Sequence, residues 1–228
     1  MRARSIGLAV AVALLSDSAA ADQPVVLELF TSESCSSCPP ADALLGELAQ
    51  DHPEILPLAF HVTYWDGAGW RDPFALPEAT ARQKRYASLL PDGEVYTPEA
   101  VIGGRESAIG SDRHAVLGAI RRAAGRSPAA SLDAVGDGGA IRVTLSSGAG
   151  AGTIWVVGYD ALHRTEVKGG ENGGRSLVDA NSVRGISAAG RWTGAAFTGR
   201  FARPPGEHAA VLVQADDGGI LAATRVAE

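Results

Sequence analysis

The residues with the clearest chemical potential lie in "LFTSESCSSCPPADALLGELA", residues 29–49. Cys35 and Cys38 are the only cysteines of the 228-residue chain. They stand two residues apart, where an apolar strand-like run gives way to a helix-like run. A bridge between them closes a loop of four residues and stabilises a fold by only about 2 kcal/mol, so such a pair is a poor staple. Reactivity explains it better. A helix begins with N–H groups that lack partners and with a partial positive charge, and both stabilise a thiolate. The spacing lets a second thiol sit one turn deeper and resolve a mixed disulfide made by the first. Cys35 is therefore expected to be the exposed nucleophile and Cys38 the buried resolving thiol. Pro39 and Pro40 follow at once and fit a first turn, where a missing N–H costs little. Ser36 and Ser37 carry no charge, and Glu33 would raise a nearby thiol slightly.

The elements that must position this pair follow from periodicity. Residues 24–30 read as a buried strand, 40–50 as a helix with Ala41, Leu44, Leu45 and Leu48 on one face, and 54–62 as a second buried strand. Residues 76–90 read as a helix with Pro77 in its first turn, and 98–109 as two short strands around Gly103-Gly104. Residues 111–125 read as a helix with Ser111 as N-cap and Gly125 just past its end. The order is β-α-β-α-β-β-α. After Ser127-Pro128 the chain becomes β-rich, with short segments separated by Gly-rich turns and no helical period, which predicts an all-β sandwich. The change in character falls at Gly125–Ala129.

The stretches "LELFTSESCSSCPPADALLGELA", "FHVTYWDGAGWRDPFA", "VYTPEAVIGGRESAIGSDR" and "GGENGGRSLVDANSVRG" together resemble a family of exported bacterial proteins, domain of unknown function 1223. The resemblance spans nearly the whole chain after the leader. Thr63 stands where it leads one to expect an acidic residue, and Ser34 where it leads one to expect a small one such as glycine. It implies an α/β thioredoxin-like domain, glutaredoxin-like in its element order, ahead of the sandwich. It also implies roles for further residues. Pro98 occupies the place where thioredoxin-like folds carry a cis-proline whose backbone edge receives a substrate peptide, with Thr97 beside it. Glu28 stands near the place of a buried carboxylate that takes the proton of the resolving thiol. Trp65 and Trp70, with Tyr64, are candidates for an apolar rim that binds peptide, against the plainer reading of loop packing. His61, on an apolar strand, reads as a core histidine.

The opening "MRARSIGLAVAVALLSDSAAADQP" reads as a secretory signal peptide, residues 1–21, with Arg2 and Arg4, an apolar stretch from Ile6 to Leu15 and an Ala19–Ala21 cleavage site. Ten apolar residues are too few to span a bilayer. The predicted organisation is thus a leader at 1–21, a thioredoxin-like domain at 22–126 and a β-sandwich domain at 127–228, in a periplasmic or secreted protein. Removing Arg2, Arg4 and Asp17 leaves 18 basic and 25 acidic residues. No basic run stands out, which argues against nucleic acid and against anionic membrane surfaces as partners.

A cysteine pair can also ligate metal, but His52 and His61 are badly spaced for a zinc finger, and His114, His163 and His208 are scattered. "GGENGG" lacks the ending of a phosphate loop. Glu171, Asn172, Arg175, Asn181 and Arg184 form a polar cluster in sequence, either a hydrogen-bond network fixing a hairpin or a partner site. The leading expectation is a thiol–disulfide oxidoreductase acting on exported proteins, served by an unidentified redox partner and using no cofactor beyond the dithiol and no metal. The alternative is a non-enzymatic binding protein that uses the pair for metal capture or presents the sandwich to a protein partner.

Overall fold

A computed structural model describes residues 23–67, 69–91 and 93–228; the expected leader, 1–21, lies outside the described residues. The chain runs β1 (Val25–Thr31), α1 (Pro39–Asp51), β2 (Ile55–His61), α2 (Pro77–Leu89), β3 (Glu99–Ile102), β4 (Glu106–Ile109) and α3 (Arg113–Ala124). Then follow β5 (Leu132–Asp137), β6 (Ala140–Leu145), β7 (Gly152–Glu166), β8 (Ser176–Trp192), β9 (Phe197–Ala202), β10 (His208–Gln214) and β11 (Ile220–Arg225). The element order of the first half is the one expected. Its third helix is capped by Asp112, whose side chain accepts from Ala115 N–H at 3.0 Å, and not by Ser111.

The fold is mixed α/β, built on a large and mostly antiparallel eight-stranded sheet in the order β11-β10-β7-β8-β2-β1-β3-β4. β1 and β2 pair in parallel, with Thr31 level with His61; β3 returns antiparallel, with Glu99 opposite Phe30. The β3–β4 turn carries Gly103 and Gly104 at φ 57° and 66°. A Cβ on Gly104 would lie 2.0 Å from Gly218 O, so this turn has room for glycine alone.

The second half does not stand apart as its own sandwich. β7, β8, β10 and β11 extend the sheet of the first half, and only β5, β6 and β9 form a separate sheet. That small sheet buries Leu132, Ile141, Val143 and Leu145 against Ile154, Val156, Val211 and Val213 of the large one, so one layer of the sandwich is shared. The join is β8 against the open edge of β2. It is a parallel pairing of Ala59 with Ser182, helped by Asn181, at φ 49°, whose side-chain N–H donates to Pro57 O at 2.8 Å.

β1 is buried on both faces, and its alternation sorts the two cores. Leu27 and Leu29 pack with α1 and α3, among them Leu44, Leu48 and Val116. Val26 and Phe30 face the other way, toward Tyr86 of α2 and Leu212 of β10. Glu28 lies between those two on the same face and is completely buried. Its carboxylate accepts from Arg82 Nε and, at 2.9 Å, from Arg82 Nη2, and from Tyr86 Oη at 2.6 Å. Gln214 of β10 accepts from Arg82 Nη1 at 3.2 Å and donates to Tyr86 Oη at 2.8 Å. The guanidinium also lies 5.3–5.6 Å from the ring centres of Phe60, Tyr86 and Trp155.

Removing one partner of such a pair strands a buried charge, whereas replacing both removes the cost of burying them. Arg82→Met should lower unfolding stability by about 3–5 kcal/mol, and Glu28→Leu combined with Arg82→Met should recover at least half of that loss in urea denaturation. A single variant as stable as the parent would refute the reading.

Candidate active site

β1 ends at Thr31, and the chain turns through residues 32–38 into α1. Cys35 and Cys38 are joined in a disulfide with Cα atoms 5.4 Å apart. Cys38 is the N-cap residue of α1, and its carbonyl accepts from the N–H groups of Ala41 and Asp42 at 2.8 and 3.1 Å. Pro39 and Pro40 fill the first turn as expected. The expected asymmetry between the cysteines is not found: Cys35 and Cys38 are both fully buried, and only Ser36 and Ser37 are exposed.

Two loops cover the pair. Asn172 donates to Glu33 O and to Cys35 O, each at 2.9 Å, and Arg175 donates to Asn172 Oδ1 at 2.7 Å. Glu171 accepts from Ser36 N–H at 3.0 Å. From the other side Trp70 Nε1 donates to Glu33 Oε2 at 2.7 Å, and Ser34 Oγ donates to Trp70 O at 3.3 Å. The loops meet through glycine backbone, since a Cβ on Gly169 would lie 2.1 Å from Gly69 O. The polar cluster read from the sequence therefore divides. Glu171, Asn172 and Arg175 dock on the cysteine loop, Asn181 ties β8 to β2, and Arg184 lies 3.6 Å from Asp160 and over the ring of Phe74.

Thr97-Pro98 is a cis peptide bond. A Cβ on Gly110 would touch Leu29, Ala41 and Pro98 together, which places the Pro98 side chain near Ala41 in the first turn of α1. Thr97 Oγ1 accepts from Trp65 Nε1 at 2.7 Å. Trp65 thus belongs with Thr97 and Pro98, and Trp70 with the covering loop. Glu28 does not join them. It occupies the opposite face of β1 from α1, with both its carboxylate oxygens bound to Arg82 and Tyr86.

The ionisable groups on the cysteine side are different ones. His61, Asp72, Asp42, Asp179 and Glu33 are all buried. His61 Nδ1 bonds to Asp72 Oδ2 at 2.8 Å, and the same carboxylate accepts from the N–H groups of Glu33 and Phe74. Burial alone would lower the imidazole, but Asp72 overrides it and carries His61 up to about 9. Burial tends to raise Asp72, yet the His61 charge and hydrogen bonds hold it below the usual carboxylate range. Burial and the nearby Asp179 push Asp42 up to about 7, against a hydrogen bond from Thr31 Oγ1 at 2.7 Å. Burial likewise raises Asp179 and Glu33. Glu33 Oε1, His61 Nε2, Asp179 Oδ2 and Ser182 Oγ have no hydrogen-bond partner among the described residues. No group of three or more His, Cys, Asp or Glu side chains among the described residues is arranged to hold a metal ion.

Residues 26–214 match the family described as "Protein of unknown function (DUF1223)". The chain belongs to this family. A crystal structure of a protein from Agrobacterium tumefaciens is similar over 89% of this chain and 93% of that one, with 29% identity and a TM-score of 0.76. HBP35 of Porphyromonas gingivalis shares the fold at 16% identity and a TM-score of 0.57, over 89% of this chain and 74% of that one. No curated protein matches the chain.

Within this member of the family, sequence reading passes over Asp72, Asp179 and, nearest the cysteines along the chain, Asp42. It lies four residues after Cys38, hence on the same side of α1 one turn away. Its signal is a lone carboxylate among Ala41, Leu44, Leu45 and Leu48.

The buried groups fix a pH dependence. The folded state holds the Asp42 proton up to about 7 where the unfolded chain releases it near 3.8, and holds the His61 proton up to about 9 where the unfolded chain releases it near 6.5. Both contributions are complete at low pH and are lost as pH rises through the folded values. The depressed Asp72 acts oppositely, but only at acid pH below its ordinary 3.8. The melting temperature of the oxidised protein should therefore fall between pH 5 and pH 9 by on the order of 5 °C or more, and Asp42→Asn should flatten the part of the slope below pH 7. A melting temperature that rises over this range would contradict the assignment.

Proposed function

We propose that this chain is an exported thiol–disulfide oxidoreductase with a thioredoxin-like site. The observation that carries the reading is the Cys35–Cys38 disulfide at the start of α1, with the Pro98 side chain near Ala41 in the first turn of the same helix. The β-α-β-α-β-β-α order around it supports the same reading.

In the reduced protein, the Cys35 thiolate attacks one sulfur of a client disulfide. The other client sulfur leaves as a thiolate, and a mixed disulfide forms. Cys38, deprotonated, then attacks Cys35 Sγ; the second client sulfur leaves, and the Cys35–Cys38 disulfide is restored. Two electrons pass to the client, and a dithiol partner must return them. The acceptor for the Cys38 proton is Asp42, not Glu28. It is a turn away on the same helix, and at about 7 it is poised to take and give up a proton near neutral pH. Exchange requires the loops bearing Trp70 and Asn172 to part, since both sulfurs are covered.

The local charges make the disulfide a weak oxidant. Ser36 and Ser37 add no positive charge, Glu33 is adjacent, and the Ser36 N–H that could stabilise a thiolate is given to Glu171. A less stabilised thiolate means a less stabilised reduced form. Equilibration against glutathione buffers should give a potential of about −180 to −270 mV, and Cys38→Ala should trap mixed disulfides with clients while Cys35→Ala should not. A potential above about −130 mV would overturn the electrostatic argument. A disulfide that never reduces in the native state would return the pair to a structural role.

A further inference from the structure

Beside the disulfide, between α1 and the paired strands β7 and β8, runs an open groove of about 580 Å³. Its helix wall is made of small residues, Ala43 and Gly46 among them. The facing strands contribute Leu162 and Val178, which are 65% and 39% exposed although both are large and apolar. Asp42 and Asp179 also line it. Asp179 is only 2% exposed, and its Oδ2 has no hydrogen-bond partner among the described residues. Pro39, next to Cys38, marks the end nearest the disulfide.

These features select an occupant. His61 is hydrogen-bonded to Asp72 and acts on Asp42 and Asp179 through its charge alone, which leaves Asp179 Oδ2 without a hydrogen-bond donor among the described residues. A buried carboxylate oxygen without a donor is costly, and an ammonium would relieve it. A ligand that fits must therefore bring a positive head on an apolar stem, and its neighbours must cover Leu162 and Val178. A lysine side chain has that form. Arg175 stands in the same groove, held by Asn172 Oδ1 at 2.7 Å, where its remaining N–H groups can donate to main-chain carbonyls of an extended segment. The chain's net charge of −6 favours basic partners over acidic ones.

We propose that this groove is a client-recognition subsite that takes an extended peptide segment with a lysine flanked by apolar residues, the ammonium placed at Asp42 and Asp179. The proposal rests on the oxidoreductase reading for its purpose, but binding there needs no exchange chemistry and can be measured without it.

The probe is a fluorescein-labelled heptapeptide, Gly-Ser-Leu-Lys-Leu-Ser-Gly, read by anisotropy on the Cys35→Ser, Cys38→Ser protein so that no mixed disulfide forms. It should bind at least about tenfold more tightly than the same peptide with norleucine or glutamate in place of lysine. Gly46→Leu and, separately, Ala43→Leu should each weaken binding by about tenfold or more by filling the groove. Asp179→Asn should bring the lysine and norleucine peptides to within about threefold of each other. Circular dichroism identifies the variants that fold. Equal binding of lysine and norleucine peptides overturns the proposal, as does lysine-peptide binding that survives both filling variants. Self-association in sedimentation that Gly46→Leu abolishes would assign the groove to a second copy and also overturn it. Lysine-selective binding in a protein whose native disulfide resists reduction would leave the subsite standing and remove the oxidoreductase reading. A reducible pair without lysine-selective binding would do the reverse.

Discussion

The position of every other part follows from how the carboxylate of Glu28 is neutralised in the middle of the sheet. A charge with no solvent access is tolerable only if its oxygens are filled and an opposite charge stands beside it. Here Arg82 and Tyr86 come from α2, and Gln214 comes from β10, far along the sequence. One residue of β1 thus fixes the helix that follows β2 and a strand of the second half around a single point. Because the cysteine loop hangs from the end of β1, fixing β1 fixes the loop as well.

The two faces of β1 then do different work. The Glu28 face holds a balanced pair surrounded by aromatic rings. The α1 face gathers one imidazole and several carboxylates within a short reach of the disulfide. Beyond the His61–Asp72 pair, burial raises Asp42, Asp179 and Glu33, so these acids hold protons to higher pH than free carboxylates do. That surplus has a cost in stability, and it supplies in Asp42 a group able to exchange a proton near neutral pH on the helix that begins at Cys38. Charge is buried for rigidity on one face and for titration on the other.

Much of this is legible in the sequence, and the exceptions have identifiable causes. The first seven elements announce themselves because their apolar periods are unambiguous, and Cys35, Cys38 and Pro98 because their spacing and context are distinctive. Glu28 misleads because alternation shows that it shares a face with Val26 and Phe30, but not which face α1 will cover. Cys35 is expected to be exposed because the spacing sets the second thiol one turn deeper; the residues that bury it include Asn172, more than 130 positions on. The strands of the second half are readable one by one. Their merger with the first sheet is not, since it turns on the pairing of Ala59 with Ser182 and the positive φ of Asn181.

The covering of the disulfide sets how readily it could be reached. Asn172 contributes two hydrogen bonds to the cysteine loop and Glu171 one, the last of them at an exposed position. A neutral hydrogen bond contributes roughly 1 kcal/mol net, because water replaces it when it breaks. Releasing the Asn172 loop alone at these contacts therefore costs on the order of 2–4 kcal/mol, before the Trp70 loop gives up its bonds to Glu33 and Ser34. The Gly-rich backbone at Gly69 and Gly169 adds close contact but no side chain that must be withdrawn. Glu33 O and Cys35 O, once released by Asn172, become acceptors that the amides of an incoming strand can fill. On the oxidoreductase reading proposed above, an extended client whose amides fill these acceptors would offset part of the opening cost.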